Sequence, residues 1–174
     1  RRLTTIGAML RASVDADPDR PALKELGYDG STGRTWTYAQ LLADSERLAR
    51  ALATRHAEGA RVAVYANNVP EWVLLELACA LAGVTLVTVN PAYRSHELEY
   101  GLSTSEVQTL VLLDKFRSSD YVKILQEVCP EIKKAKPGEV ECGKLPHLKN
   151  VILLGKKAAG AMWSWDEFMK LGQD

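Results

Sequence analysis

With 174 residues, the chain is long enough for one large domain, and 47% hydrophobic with 25% charged residues is the composition of a globular protein with a sizeable core. Lys and Arg together number 22, as do Asp and Glu, so bulk charge gives no footing for nucleic acid or an anionic membrane surface. The three cysteines show no metal-ligand spacing and the N-terminus has no secretory apolar core, which together fit a reducing, intracellular compartment.

Leu3 to Ala16 predicts an amphipathic helix, with Thr5 as N-cap and Ile6, Met9, Leu10 and Val14 on one inward face. Asp17-Pro18-Asp19 breaks it. Ala22 to Leu26 and Arg34 to Trp36 are short strand candidates, and Gly27 to Gly33 between them reads as a hairpin turn. Thr37 opens the next helix, with Gln40 at capping-box spacing. Leu41, Leu42, Ser45, Leu48, Ala49 and Leu52 repeat at helical spacing, and Glu58-Gly59 closes the segment.

Arg61 to Arg94 then reads as strand, helix, strand. Val62 to Ala66 is an apolar strand ending in Asn67-Asn68, and Pro70 opens a helix, where its fixed φ and missing N–H are tolerated. Trp72 to Ala82 carries one charge, Glu76, and predicts a helix covered on nearly all sides; Gly83 stops it and Val84 to Val89 is the second strand. Glu71, Glu76 and the Gly83 break argue against a transmembrane segment here. Such a unit predicts parallel pairing, and the loops at strand carboxyl ends, Asn67 to Pro70 and Asn90 to His96, are the places to look for chemistry.

Ser95 is expected to cap a helix through Leu102, and Thr109 to Leu113 is a third strand. Ser118 or Ser119 is expected to cap a helix striped by Val122, Leu125 and Val128, which Pro130 ends. Lys133 to Lys149, punctuated by Pro137-Gly138 and Pro146, reads as a polar excursion loop. Its Lys133, Lys134 and Lys136 form the one dense basic spot, most simply a solvated loop. Val151 to Leu154 is a fourth strand, and Ser164 with Glu167 makes a capping box for a final short helix. The predicted architecture is α/β, a mainly parallel sheet flanked by helices.

The order of these segments resembles the N-terminal subdomain of the adenylate-forming acyl-CoA synthetases. Arg34-Thr35-Trp36-Thr37-Tyr38-Ala39-Gln40-Leu41 is similar to the family's first core motif. Arg61-Val62-Ala63-Val64 with Asn67-Asn68-Val69-Pro70-Glu71-Trp72 is similar to the next block. Ala82-Gly83-Val84 through Asn90-Pro91-Ala92-Tyr93-Arg94 and Glu97-Leu98-Glu99-Tyr100 resembles the core motif that follows in the fatty-acid branch. Val128-Cys129-Pro130-Glu131 and the loop to Leu145-Pro146 resemble the medium-chain fatty-acid–CoA ligases of mitochondria and their bacterial relatives. The resemblance covers residues 1–174. It implies an intact AMP-forming ligase that uses ATP, Mg²⁺ and coenzyme A to activate a fatty acid, in the mitochondrial matrix or cytoplasm.

The family's Ser/Thr/Gly-rich phosphate loop ending in Pro-Lys, its Tyr-Gly-x-Thr-Glu segment and its C-terminal catalytic Lys have no counterpart in these residues. The chain is therefore expected to be a truncated subdomain, inactive alone, with no cofactor bound, and to self-associate through an apolar face that its missing half covers. Asp29 to Arg34 imitates a phosphate cradle, but it leads into a strand rather than a helix and no Lys follows. Gly155-Lys156-Lys157 lacks the rest of a Walker pattern.

Arg94 is the one cofactor-binding candidate. The resemblance implies that cations of its region lie near the mouth where coenzyme A enters, and guanidinium suits phosphate oxygens. Asn90, Pro91 and Tyr93 read as turn and packing residues. His56 sits at a helix end, where a cation is mildly favoured, and His96 and His147 read as surface residues. No catalytic triad, paired carboxylates or metal set can be assembled from the sequence. Two rival readings stand beside this one: a non-catalytic α/β binding or interaction module, and half of a Rossmann dehydrogenase. The second is disfavoured because no Gly-x-Gly-x-x-Gly follows a strand.

Overall fold

The computed structural model describes residues 5–27, 29–154, 158 and 160–173. The elements run α1 (Ile6–Ala16), β1 (Pro21–Leu26), β2 (Thr32–Thr37), α2 (Tyr38–Ala53), β3 (Arg61–Tyr65), α3 (Pro70–Ala82), β4 (Thr85–Thr88) and α4 (Ser95–Thr104). They continue with β5 (Thr109–Leu112), β6 (Lys115–Phe116), β7 (Ser119–Asp120), α5 (Tyr121–Val128), β8 (Asn150–Leu153), β9 (Met162–Ser164) and α6 (Trp165–Lys170).

The centre is a five-stranded, wholly parallel sheet of order β4-β3-β5-β8-β9, with β1 and β2 as a separate antiparallel hairpin. Alternation along the strands feeds two cores. Ala63, Tyr65, Leu110, Leu112, Val151 and Leu153 face α4, α5 and the loop that follows α5. Val62, Val64, Val111 and Ile152 face α1, α2, α3 and α6. Both faces are covered, so β3, β5 and β8 read as continuous apolar runs rather than alternating ones.

The α/β expectation holds, including the four expected strands and the strand–helix–strand unit at its centre. Helix α3 exposes only Glu76 and Ala80 along its length, and Gly83 ends it with φ +68°, a left-handed conformation that glycine reaches without a Cβ penalty. Thr37 and Gln40 exchange both capping-box hydrogen bonds, as do Ser164 and Glu167.

Several details differ. Helix α1 buries Gly7 and Leu10 and leaves Ile6 and Met9 outside, because glycine's bare backbone lets α1 approach Leu81 of α3. Helix α2 stops at Ala53, ahead of Glu58-Gly59. The cap of α4 is Arg94, whose backbone N–H donates to Glu97 Oε2 (3.1 Å), so Ser95 is already helical. The cap of α5 is Asp120, which accepts from the Lys123 N–H at 2.9 Å; Ser119 instead pairs in the β6–β7 ribbon. A fifth strand, β9, lies where only a capping residue was expected. It is three residues long, and its identity rests on parallel pairing with β8. The 133–149 segment is irregular but anchored, since Val140, Cys142, Leu145 and Leu148 are buried in the α4–α5 core. Among the described residues, no helix is long and apolar enough to cross a membrane.

Candidate functional site

The routing of the chain creates the site. β3 hands its chain to α3 on one face, whereas its neighbours β4 and β5 hand theirs to α4 and α5 on the other. The loops beyond β3 and those beyond its neighbours therefore diverge, which opens crevices at the carboxyl end of the sheet.

Between β3 and β5 the crevice is an apolar cleft of about 620 Å³. The hairpin contributes Leu23 and Leu26, the α3 entry Val69 and Val73, and the segment after β5 Leu113 and Phe116. The Asn67 Oδ1 atom at this cleft is buried and accepts no hydrogen bond from any described residue. The sequence reading missed the cleft because its walls come from three segments far apart in the chain. The available signal was bulky apolar residues beside turns, of which Leu26 is 70% exposed.

Between β3 and β4 the 90–96 loop is built on tight local bonds. Asn90 Oδ1 accepts from the Ala92 N–H (2.9 Å) and Asn90 O from the Tyr93 N–H (3.0 Å), which is turn chemistry as expected. Tyr93 does not pack as expected; its side chain points out, and its carbonyl is held from beneath by the Tyr65 hydroxyl. Tyr65 meets Tyr121 edge-on, ring centroids 4.5 Å apart. Burial pushes the Tyr65 phenol up to about 12, while the Arg94 cation nearby works against that rise.

Arg94 is exposed at the mouth of a cavity of about 380 Å³, with Ser95, Ser118, Asp120, Lys123 and Glu127 around it. Two cations face two carboxylates there. Glu97 and Asp120 already cap α4 and α5, and the Ser95 hydroxyl donates to Glu127. The helix N-termini are thus occupied, and neither the Arg94 guanidinium nor the Lys123 ammonium forms an ion pair with a described residue. His96 is exposed beside it.

The apparent phosphate cradle at 29–34 is a hairpin turn. Asp29 Oδ1 accepts from both the N–H and the hydroxyl of Ser31, and Gly30 takes φ +80°. Arg34 is held by Glu25 and Glu71 together, its guanidinium stacked 5.3 Å from the Trp36 ring centroid. Carboxylates consume the donors that an anion needs. Gly155-Lys156-Lys157 lies outside the described residues.

The three histidines are not gathered into one site. His56 and His147 border a polar cavity of about 500 Å³ at the amino end of the sheet, away from His96. His56 Nε2 lies 2.7 Å from the buried Thr109 hydroxyl. The expectation of a favoured cation is overturned, because burial first and the Arg55 charge after it lower the His56 pKa, against a raising hydrogen bond from Gln108. With the folded pKa below the unfolded one, protonation favours unfolding. The stability tied to neutral His56 is full above about pH 6.5 and is lost as pH falls through the depressed folded pKa. Urea unfolding from pH 7.5 downward is expected to show a His56→Gln variant with a shallower acid decline than the parent; parallel declines would exclude this role.

Comparison with known proteins places these features in context. Residues 10–162 match the family of AMP-binding enzymes. YngI of Bacillus subtilis, named as an acyl-CoA synthetase, is 36% identical over 165 residues, 94% of this chain and 29% of its own. The mouse mitochondrial medium-chain acyl-CoA ligase ACSF2 is 37% identical over 160 residues, 91% of this chain and 25% of its own. A solved structure from Rhodopseudomonas palustris, described as a long-chain-fatty-acid CoA ligase, superposes with a TM-score of 0.73 at 26% identity, covering 99% of this chain and 37% of that one. The chain thus spans a quarter to three-tenths of the curated relatives named here.

Proposed function

Because this chain belongs to the family of AMP-binding enzymes, we propose that it is the N-terminal subdomain of a fatty-acid–CoA ligase and contributes part of the wall around the acyl and coenzyme A sites. The observation that carries this reading is the match across 153 residues, 10 to 162, coinciding with a sheet whose divergent carboxyl-end loops hold both an apolar cleft and Arg94, which forms no ion pair among the described residues. The intact enzyme joins a fatty carboxylate to the α-phosphate of ATP, releasing pyrophosphate, and the coenzyme A thiol then displaces AMP. Mg²⁺ accompanies ATP and neutralises its phosphate charge. A medium-chain acid is the substrate class that the ACSF2 likeness supports, and an intracellular site, mitochondrial matrix or cytoplasm, goes with it. The test is fatty-acid-dependent pyrophosphate exchange, followed by acyl-CoA formation, by the full-length protein; absence of exchange across acyl chain lengths would leave a non-catalytic module.

Arg94 is the residue of this chain that we assign to a coenzyme A phosphate. In the full-length enzyme, Arg94→Ala should weaken coenzyme A by about ten- to a hundredfold, the cost of a lost charge-assisted bond of roughly 1.5–3 kcal/mol. Adenylation should be spared. Unchanged coenzyme A dependence would reduce Arg94 to its backbone role at the head of α4.

Residues 1–174 alone are assigned no adenylation. In-line attack needs donors aimed at the charge that develops on the α-phosphate, and the hairpin that imitates such a loop spends its donors on Asp29 and Glu25. Calorimetry of the isolated chain with MgATP should show no saturable binding at millimolar nucleotide. Saturable binding abolished by Gly30→Ala would overturn the hairpin assignment. Exposed Ile6, Met9, Leu26 and Tyr100 support self-association of the isolated chain, which sedimentation would detect as species heavier than 19.2 kDa.

A further inference from the structure

Cys129 and Cys142 are thirteen positions apart and share no ligand spacing in the sequence, yet the fold brings them together with a carboxylate. Cys129 follows the last turn of α5, its N–H donating to Leu125 O at 2.8 Å. Pro130 then opens a single 3₁₀ turn that places Glu131 beside it. Cys142 arrives from the 133–149 loop, held by the Val140 N–H on Lys149 O (3.2 Å) and the Leu145 N–H on its own carbonyl (3.1 Å). Both sulfurs and a Glu131 carboxylate oxygen lie within 4.8 Å of one another. The cysteines are 0% and 4% exposed, whereas Glu131 is open to solvent.

From this arrangement we infer a binding site for one thiophilic divalent cation of the Zn²⁺ class, ligated by Cys129, Cys142 and Glu131 with water in the fourth position. Two thiolates at about 2.3 Å from a tetrahedral Zn²⁺ stand about 3.8 Å apart, so small side-chain rotations close the set. Soft sulfur donors select Zn²⁺ over Mg²⁺ or Ca²⁺. Glu131 supplies both the third ligand and the open side through which an ion enters. Its carboxylate forms no hydrogen bond or ion pair with a described residue, and the neighbouring Lys144 is engaged by Glu99 at 2.9 Å. Binding is balanced by release of two thiol protons to solvent, with no change of oxidation state. The ion clamps the excursion loop to the end of α5. This site is independent of the ligase reading, since it uses none of the residues at the carboxyl end of the sheet.

The probe is Cd²⁺ and then Zn²⁺, added to the reduced, metal-stripped chain under anaerobic conditions. Expected are one sulfur-to-cadmium charge-transfer band saturating at one ion per chain, release of two protons, and a metal-dependent rise in the thermal midpoint. Cys129→Ser and Cys142→Ser should each abolish the band. Glu131→Gln, an exposed change that leaves the fold intact, should weaken the ion about tenfold or more. No band, a band that persists in the Cys129→Ser/Cys142→Ser double variant through Cys79, or equal affinity in Glu131→Gln would each overturn the assignment.

Discussion

Gly172→Ala is expected to be among the most damaging single changes in the chain. A Cβ at this position would stand 2.0 Å from Arg47 O and 2.9 Å from Ala51 N, both backbone atoms of α2. No rotamer change relieves a clash with a helix backbone. The same contact carries a hydrogen bond from Arg50 Nε to Gly172 O at 3.0 Å, so displacement of the segment breaks that bond too. Overpacking of this kind costs about 3 kcal/mol. The cheaper escape is for the turn after α6 to lift off α2, which exposes the Trp163–Phe168 contact, centroids 6.2 Å apart. Urea unfolding followed by tryptophan fluorescence should show either a lower midpoint or an early transition confined to α6. Gly143→Ala is the control, because a Cβ there meets nothing within 4 Å and should shift stability by less than about 0.5 kcal/mol. Equal stability of both variants with their parent would contradict the close approach of α6 to α2.

Leu75→Ala should cost about 3 kcal/mol, within the range of roughly 2–5 for a fully buried leucine. Leu75 is 0% exposed, in the core that α2, α3 and the Val62 and Val64 side chains share. The space it vacates lies between a helix and a sheet that are both fixed by other contacts, so collapse is incomplete. Glu76→Ala, one position on, removes an exposed side chain with no such role and should be nearly neutral. The contrast is informative because α3 is apolar almost all round, so periodicity alone does not say which residues matter most. Chemical denaturation of both variants at one pH separates them; a similar cost for the two would show that α3 is less covered than described.

The ligase reading and the fold differ in how far the sequence supported them. Parallel strands announce themselves as short β-branched runs, and both the buried strand at Val62 to Ala66 and the edge strand at Val84 to Val89 were legible, with Pro70 and Gly83 marking the helix between them. The Thr37 and Ser164 capping boxes were equally plain, because a cap is satisfied by residues three positions apart. Arg94 was legible as a loop cation after a strand, and its neighbours in the fold were not, since Lys123 and Glu127 arrive on another helix.

Much of what lay within a few residues was therefore determined by the sequence itself: the Thr37 and Ser164 caps, the turns, the strand–helix–strand unit, and the hairpin that rules out the cradle at 29–34, whereas the caps of α4 and α5 each fell one or two residues from the serine expected. Tertiary structure decided everything that depends on which segments meet. β9 is a strand only because β8 offers it a partner. Helix α1 faces inward through Gly7 and Leu10 rather than Ile6 and Met9, because closeness to Leu81 outweighed hydrophobic area. The cleft beside Asn67, the desolvation of His56 against Thr109 and the meeting of Cys129 with Cys142 are contacts across long stretches of chain. Local hydrogen bonding and turn chemistry act over three or four residues, so sequence spacing encodes them directly. Burial and electrostatic environment are properties of neighbours in space, and those are set only when the sheet order β4-β3-β5-β8-β9 is complete.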